Sequence, residues 1–379
     1  MSREPPVEAG RLRVIDPLIA RAMDQGVFPG AVVQIRRGGR ILRQQAHGWA
    51  ALVPQRRAMR AEMVFDLASL TKPIATATAV LQLWERGHLD IDRPVADYVP
   101  QFAAAGKEMV TLRHLLTHTS GLPAWIRLYL HARSPEEAIR YICRLSPGFP
   151  PGSGFEYSDL GFIMLGEIVE RVGGVALDAY VATRIAPLLQ WEWTRFRPPA
   201  EWRDRCVATE EGNGFERAAA GAEGEGFTWR TEVITGEVHD GNAYYLFDGV
   251  AGHAGLFGTA EEVGRFGQAM LDLGQAEAGR LLDRATVREA TRDQTGARLA
   301  EGAGLGWRCR RGSLPMGTRA SARAFGHTGF TGTSLLVDPE REVVVVLLTN
   351  RVHPHADPTS VRIDTFRTEF HDAVLEAVG

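Results

Sequence analysis

Lysine is nearly absent from this chain: of 43 basic side chains only two, Lys72 and Lys107, are lysines. Where any cation would serve, arginine is written, and arginine stays protonated, whereas a desolvated lysine can lose its proton. Lys72 stands three residues after a serine, in Ser69-Leu70-Thr71-Lys72, and Lys107 lies in a polar stretch before a helix. Cysteine is scarce too. Cys143, Cys206 and Cys309 are odd in number, far apart and without metal-ligand spacing, which argues against a disulfide framework and predicts reduced, packed thiols. A strong charge of one sign is missing as well. The net charge of −3 gives no long-range pull on nucleic acid or an anionic membrane. The longest continuous apolar run, Val343 to Leu348, is far short of a membrane span. The first residues, MSREPPVEAGRLRVID, are charged and proline-bearing, without the apolar stretch of a signal peptide, so a cytoplasmic location is expected. There is no GxSxG elbow, P-loop or dinucleotide fingerprint.

What is present is a chain of 379 residues, 45% apolar, large enough for two lobes around a sizeable core. Apolar positions at helical spacing run from Leu12 to Ala22 and stop at Gly26. Ala31–Ile35 and Ile41–Ala46 flank Gly38-Gly39, a hairpin signal. Ser334–Val337 and Glu342–Leu348 are β-branched runs around Asp338-Pro339, and residues 360–379 read as an amphipathic closing helix. The middle of the chain carries helical patterns: 74–87, 111–121 with Thr111 as cap, and two later segments, each ended by glycine. Residues 196–250 have a weak periodic signal and read as loops. The expected fold is thus α/β, with an antiparallel sheet built from both chain ends (1–68 and 300–379), flanked by helices. A mainly helical lobe (69–299) is inserted between, with a groove between the lobes.

On a first helical turn, residues i and i+3 share a face, so Lys72 reaches the Ser69 hydroxyl, and the helix N-terminus adds positive potential. This is the geometry of an activated serine without a histidine–aspartate pair. Two further motifs follow in order: Tyr157-Ser158-Asp159 before a helix, and His327-Thr328-Gly329 at the start of a strand near the C-terminal end. Ser-x-x-Lys, a tyrosine motif and a Lys/His-Thr-Gly triplet in this order resemble the serine β-lactamase and penicillin-binding-protein superfamily, and most closely its class C branch with DD-peptidases and family VIII esterases. LLTHTSGLP (115–123), FEYSDLGFIMLGEIVE (155–170) and GHTGFTGTSLLVDP (326–339) carry the resemblance further.

The resemblance implies a serine hydrolase working through an acyl-enzyme on a small ester, amide or D-amino-acid peptide. Ser69 would be acylated, and Lys72 would take its proton directly or in concert with Tyr157. Tyr157 would protonate the leaving group, and the N–H groups of Ser69 and Phe330 would form the oxyanion hole. His327, Thr328 and Gly329 would line the strand edge against the substrate. Two positions depart from the commonest pattern. Asp159 stands where many relatives carry asparagine, and when ionised would hold Lys72 protonated. His327 replaces a lysine, which removes a permanent cation for a β-lactam carboxylate. Both weaken a β-lactamase reading. A DD-carboxypeptidase or β-lactamase remains the rival enzyme, and a non-turnover acyl-binding sensor or scaffold the rival of another class. No metal and no organic cofactor are implied. The expected partners are small molecules only, with no nucleic acid or membrane, and the chain is expected to be a monomer or homodimer.

In GEVHDGNAYYLFDGVAGHAGLFGTAEE (236–262), His239, Asp240 and Asn242 either reach the acyl side of the pocket or brace a loop. His114 and His118 have the i, i+4 spacing of a two-histidine metal pair, but without an intervening HExxH glutamate they read as core residues. His353 and His355 read as surface or packing residues. Trp125, Tyr129, Tyr244 and Tyr245 are candidates for a cleft wall or for core.

Overall fold

The computed structural model describes residues 10–313, 315–357, 359 and 361–379. The N-terminal stretch 1–9 and residue 360, the first of the expected helical segment 360–379, lie outside them. Helix α1 (Ile15–Asp24) leads into a hairpin of β1 (Gly30–Arg37) and β2 (Arg40–Ala51), followed by a two-residue strand, β3 (Arg57–Ala58). Gly38 and Gly39 turn the hairpin at φ of 53° and 76°, the left-handed pair that a twisted two-residue turn needs. Four strands follow late in the chain: β4 (Arg308–Cys309), β5 (Phe325–Thr328), β6 (Ser334–Asp338) and β7 (Val343–Thr349). They join the first three in one antiparallel seven-stranded sheet of order β4-β5-β6-β7-β1-β2-β3. β7 sits at its centre against β1, with Ala31 opposite Thr349 and Val33 opposite Leu347.

Both faces of that centre are covered, which is why β7 reads as unbroken Val and Leu rather than alternating with polar residues. Val33, Ile35, Val345 and Leu347 pack with Ile15, Ile19, Phe366 and Phe370, the last two on the closing helix. Val32, Val344, Val346 and Leu348 face the other core, which holds Val263 and Phe266 of the helix Ala260–Leu271. That helix comes from the middle of the chain yet lies on the sheet.

The helical patterns form helices, with local differences. Residues 74–87 open as a π-helical turn, Lys72–Ala77, before continuing as an α-helix, Thr78–Glu85. The helix capped by Thr111 is short, Leu112–Leu116, and leaves His118 outside it at φ 59°. His114 and His118 are therefore not on one helix; His114 closes a capping box with Thr111. The 196–250 stretch holds short elements, among them the helix Gly241–Phe247. No helix among the described residues is long and apolar enough to cross a membrane.

Lys107, the second lysine, is itself buried although its neighbours Gly106 and Glu108 are exposed. Its Nζ donates to the carbonyls of Ala104 (2.7 Å), Cys143 (2.9 Å) and Leu145 (2.5 Å). An ammonium has three rotatable donors on one atom, a tripod that the planar guanidinium fork does not reproduce. Lys107→Met is expected to lower unfolding free energy by about 3 kcal/mol, because three carbonyls, that of Cys143 buried, lose their charged donor; denaturant titration checks this. Gly252 lies against the helix Asp159–Gly173, where an added Cβ would come within 1.9 Å of the Phe162 carbonyl oxygen. Gly252→Ala is expected to cost about 3 kcal/mol by the same assay, since backbone and not a mobile side chain blocks the space.

Candidate active site

The segment that carries Ser69 begins on a short strand, Phe65–Asp66, paired with Leu256–Gly258. Ala68 follows at φ 48°, a left-handed conformation uncommon for a residue with a Cβ. It is held there by the buried Asp66, whose Oδ1 accepts from Ala68 N at 2.9 Å and whose Oδ2 accepts from His239 N at 2.7 Å. A 3-10 turn, Ala68–Leu70, then presents Ser69. The chain runs on in helical conformation through Thr71 into the π-helical turn that Lys72 opens, and this places Lys72 Nζ 2.9 Å from Ser69 Oγ.

Lys72 is buried, and its ammonium has three acceptors: Ser69 Oγ, the His253 carbonyl at 3.1 Å and an Asp159 carboxylate oxygen at 2.7 Å. Gly252 O accepts from Thr76 Oγ1 and Leu256 N donates to Thr71 Oγ1, so the 252–256 segment is tied along the lysine's helix. Burial pushes Lys72 down, but Asp159 and the Tyr157 oxygen outweigh it and raise its pKa above that of an ordinary lysine. Lys72 therefore rests as an ammonium.

Tyr157 stands within hydrogen-bonding reach of both Ser69 and Lys72. Burial raises its phenol, against the pull of Lys72. Ser158 caps the following helix, its Oγ accepting from Gly161 N at 3.2 Å and donating to Pro123 O at 2.7 Å. The segment 118–124 holds this motif from below: His118 O accepts from Glu156 N, His118 Nδ1 from Ser158 N at 3.0 Å, and Ala124 O from Asp159 N. The buried His118 ring lies 4.5 Å from the Tyr157 ring, centroid to centroid, and burial and Lys72 keep it neutral. The LLTHTSGLP string thus has a physical role as the seat of Tyr157, which spacing alone did not reveal.

His327, Thr328 and Gly329 end strand β5 and do not start one. Thr328, Gly329 and Phe330 line a cleft of about 390 Å³ together with Ser69, Tyr157 and Asp159. His327 is buried beneath it, 5.8 Å from the Tyr157 ring, and burial holds its pKa well below the usual histidine value. Its Nδ1 lies 2.8 Å from the Thr328 carbonyl, so in the neutral ring Nδ1 carries the proton and Nε2 is an acceptor. The expectation that His327 lines the strand edge against the substrate is thereby corrected: the ring is buried and off the cleft wall, and as a neutral acceptor it offers no cation. Asn242 is also corrected. It is fully buried, donates to Ile126 O at 2.8 Å and is absent from the cleft wall. Asp240 and His239 do line the cleft; Asp240 caps the helix Gly241–Phe247 and pairs with His253 Nε2 at 2.8 Å, while His239 pairs with Glu210 at 2.9 Å. Trp125 lines the cleft, whereas Tyr129 and Tyr245 pack with Phe227 and Trp229. His353 is buried, bridging Leu52 N and Thr209 O.

Sequence reasoning missed Asp66, Glu216, His253, Arg308 and Arg351, all on the cleft wall. None sits in a motif with a spacing signature; tertiary contact alone brings them together.

A sheet built from both chain ends, with a Ser-Lys-Tyr cluster at the edge of its fifth strand, defines the β-lactamase and transpeptidase class of fold. The Beta-lactamase family model matches residues 15–367, and the chain belongs to that family. It is 32% identical over 405 residues to the N-acetylmuramyl-L-alanine amidase of Bacillus subtilis (strain 168), covering 97% of this chain and 88% of the relative. Among solved structures it resembles EstCE1, described as a hydrolase with promiscuous acyltransferase activity, at a TM-score of 0.73, 22% identity and coverage of 98% and 99% of the two chains. A penicillin-binding protein homolog from Caulobacter crescentus matches at a TM-score of 0.73 and 21% identity, covering 99% of each chain.

Asp159→Asn removes the anion that raises Lys72. If a neutral Lys72 accepts the Ser69 proton, activity rises as pH climbs through the Lys72 pKa. The substitution should then move that limb to lower pH by about one unit or more. A kcat/KM profile carried from about pH 7 to about pH 11.5 tests this, and an unmoved limb would remove Lys72 as the base.

Proposed function

We propose that the protein is a serine hydrolase that passes through an acyl-enzyme on Ser69, acting on a small ester, amide or D-amino-acid peptide. The observation that carries this reading is the 2.9 Å contact between Ser69 Oγ and a buried Lys72 at the floor of a cleft. The cleft draws residues from both the end segments (1–68, 300–379) and the central one (69–299), so the groove between the proposed lobes is the substrate site.

In the resting state all three Lys72 N–H groups have acceptors and no lone pair is free. Lys72 must first release a proton to solvent; it then takes one from Ser69, directly or through Tyr157, as Oγ bonds to the substrate carbonyl carbon. The negative charge that develops on the carbonyl oxygen falls to the N–H groups of Ser69 and Phe330. Gly329 N–H is already used, on Thr333 O at 2.8 Å, which leaves the Phe330 donor for the oxyanion. Tyr157 then returns the proton to the leaving group, and a water repeats the sequence to release the acyl group.

A β-lactam would be a poor substrate. His327 is a neutral acceptor, Arg308 is paired with Glu301, and Arg351 is turned to the carbonyls of Phe330 and Thr359. The relative named as an amidase supports bond cleavage at a carbonyl next to nitrogen as part of the range. The three free thiols are all buried, in keeping with a reducing, cytoplasmic location.

Intact-protein mass spectrometry with a fluorophosphonate, a penicillin and p-nitrophenyl acetate is expected to show adducts on wild type and none on Ser69→Ala. Steady-state ester turnover should exceed that of the penicillin, and Tyr157→Phe should lower kcat by roughly 10²–10⁴. Equal labelling of Ser69→Ala would overturn the assignment, and a single burst without turnover would favour an acyl-binding sensor.

A further inference from the structure

The loop that follows the His327-Thr328-Gly329 triplet is held at each of its carbonyls. Arg367, on the closing helix Val361–Val378, donates from Nη2 to Gly329 O at 2.7 Å and to Thr333 O at 2.8 Å. Arg351 donates from Nε to Phe330 O at 2.6 Å and from its backbone N to Thr331 O at 3.1 Å, and Thr349 Oγ1 donates to Gly332 O at 3.1 Å. The loop is also clipped to the chain just before Ser69: Thr331 Oγ1 donates to Asp66 O at 2.8 Å and Thr333 Oγ1 to Leu67 O at 3.0 Å. Gly329 has no space for a side chain, since an added Cβ would stand 2.6 Å from Leu67 O. The segments that carry the Ser69 and Phe330 N–H groups are thus fixed to one another.

Arg367 is the costly member of this set. It is 3% exposed, and its Nε is buried without an acceptor. Its place is set by the two carbonyls and by Asp364, whose Oδ1 accepts from Nη1 at 2.9 Å. Burial lowers its pKa to about 10, which leaves it a cation at neutral pH. The Gly329 carbonyl and the Phe330 N–H belong to one planar trans peptide and point in opposite directions. A donor that draws the carbonyl toward the closing helix therefore turns the N–H the other way. Among the described residues no acceptor meets that N–H, and Phe330 lines the cleft beside Ser69.

We propose that Arg367 is a positioning residue of the oxyanion hole: by holding Gly329 O it fixes the peptide whose N–H receives the charge developing on the substrate carbonyl oxygen. This rests on the reading of Ser69 as the acylated residue and of Phe330 N–H as an oxyanion donor, and adds the group that aims the donor. A cation on the carbonyl also polarises the peptide and makes its N–H a stronger donor. Arg367 borders the same cleft, but its Nη2 faces the loop's carbonyls, and it acts through the loop.

The test pairs p-nitrophenyl acetate with p-nitrophenyl thionoacetate, in which sulfur, a weaker acceptor, replaces the carbonyl oxygen. Wild type should prefer the oxygen ester by about tenfold or more in kcat/KM, once each rate is divided by that of hydroxide alone. In Arg367→Met, kcat and kcat/KM for the oxygen ester should fall together by about 10²-fold, and the preference for oxygen should fall toward unity. Arg367→Lys keeps a cation but not the fork that reaches Asp364 and both carbonyls, so it should recover only part of the rate and of the preference. The preference separates aim from damage, because a loosened fold or a smaller active fraction slows both esters alike. Circular dichroism identifies a variant that does not fold, and the preference is then read in the other. A wild-type preference in either folded variant would overturn the role of Arg367. Absence of any preference in wild type would strike at the oxyanion hole itself, and turnover surviving Ser69→Ala at the reading beneath it.

Discussion

The site depends on one buried ammonium. Lys72 Nζ joins Ser69 on its own helix, the His253 carbonyl from the 252–256 segment and Asp159 at the head of another helix. Three pieces of chain far apart in sequence converge on one atom. A compact, three-donor cation can hold such a junction, and a planar guanidinium cannot take its place. Lys107 makes the same kind of junction among three carbonyls. In a chain so rich in arginine, both lysines are thus kept where a buried tripod of donors is needed, and only at Lys72 does that tripod include a serine.

Around this junction the surrounding elements work as supports. Asp66 holds Ala68 in its left-handed conformation and reaches His239; the 118–124 segment seats Tyr157 and Asp159; Gly252 lets the chain pass close to a helix so that the next carbonyl meets Lys72. The aspartate at 159 favours the protonated lysine, since a carboxylate against the ammonium raises the lysine's pKa where an amide would not. On the cleft wall the same carboxylate stands with Asp240 and Glu216.

Much of this was legible before folding was considered. The hairpin at Gly38-Gly39, the run from Val343 to Leu348 and the Ser-x-x-Lys spacing each follow from short-range rules: turn conformations, a strand buried on both faces, and i, i+3 proximity in a tight turn. What was misread depended on long-range contact. The triplet His327-Thr328-Gly329 belongs to a strand's end, and the His327 ring is turned into the core, where desolvation makes it neutral. Asn242 stands two residues from a cleft residue, but its side chain faces away, because Asp240 at the cap of a helix and Asn242 inside it point in different directions.

By itself the sequence determined which segments become strands and helices and which serine has a lysine beside it, because those properties are set by neighbours within a few residues. Only the tertiary structure decided the charge on Lys72, the neutrality of His327 and the gathering of Asp159, Asp240 and Glu216 on one wall. These arise from burial and from partners up to 181 residues away along the chain, as Lys72 and His253 are, and no local pattern encodes them.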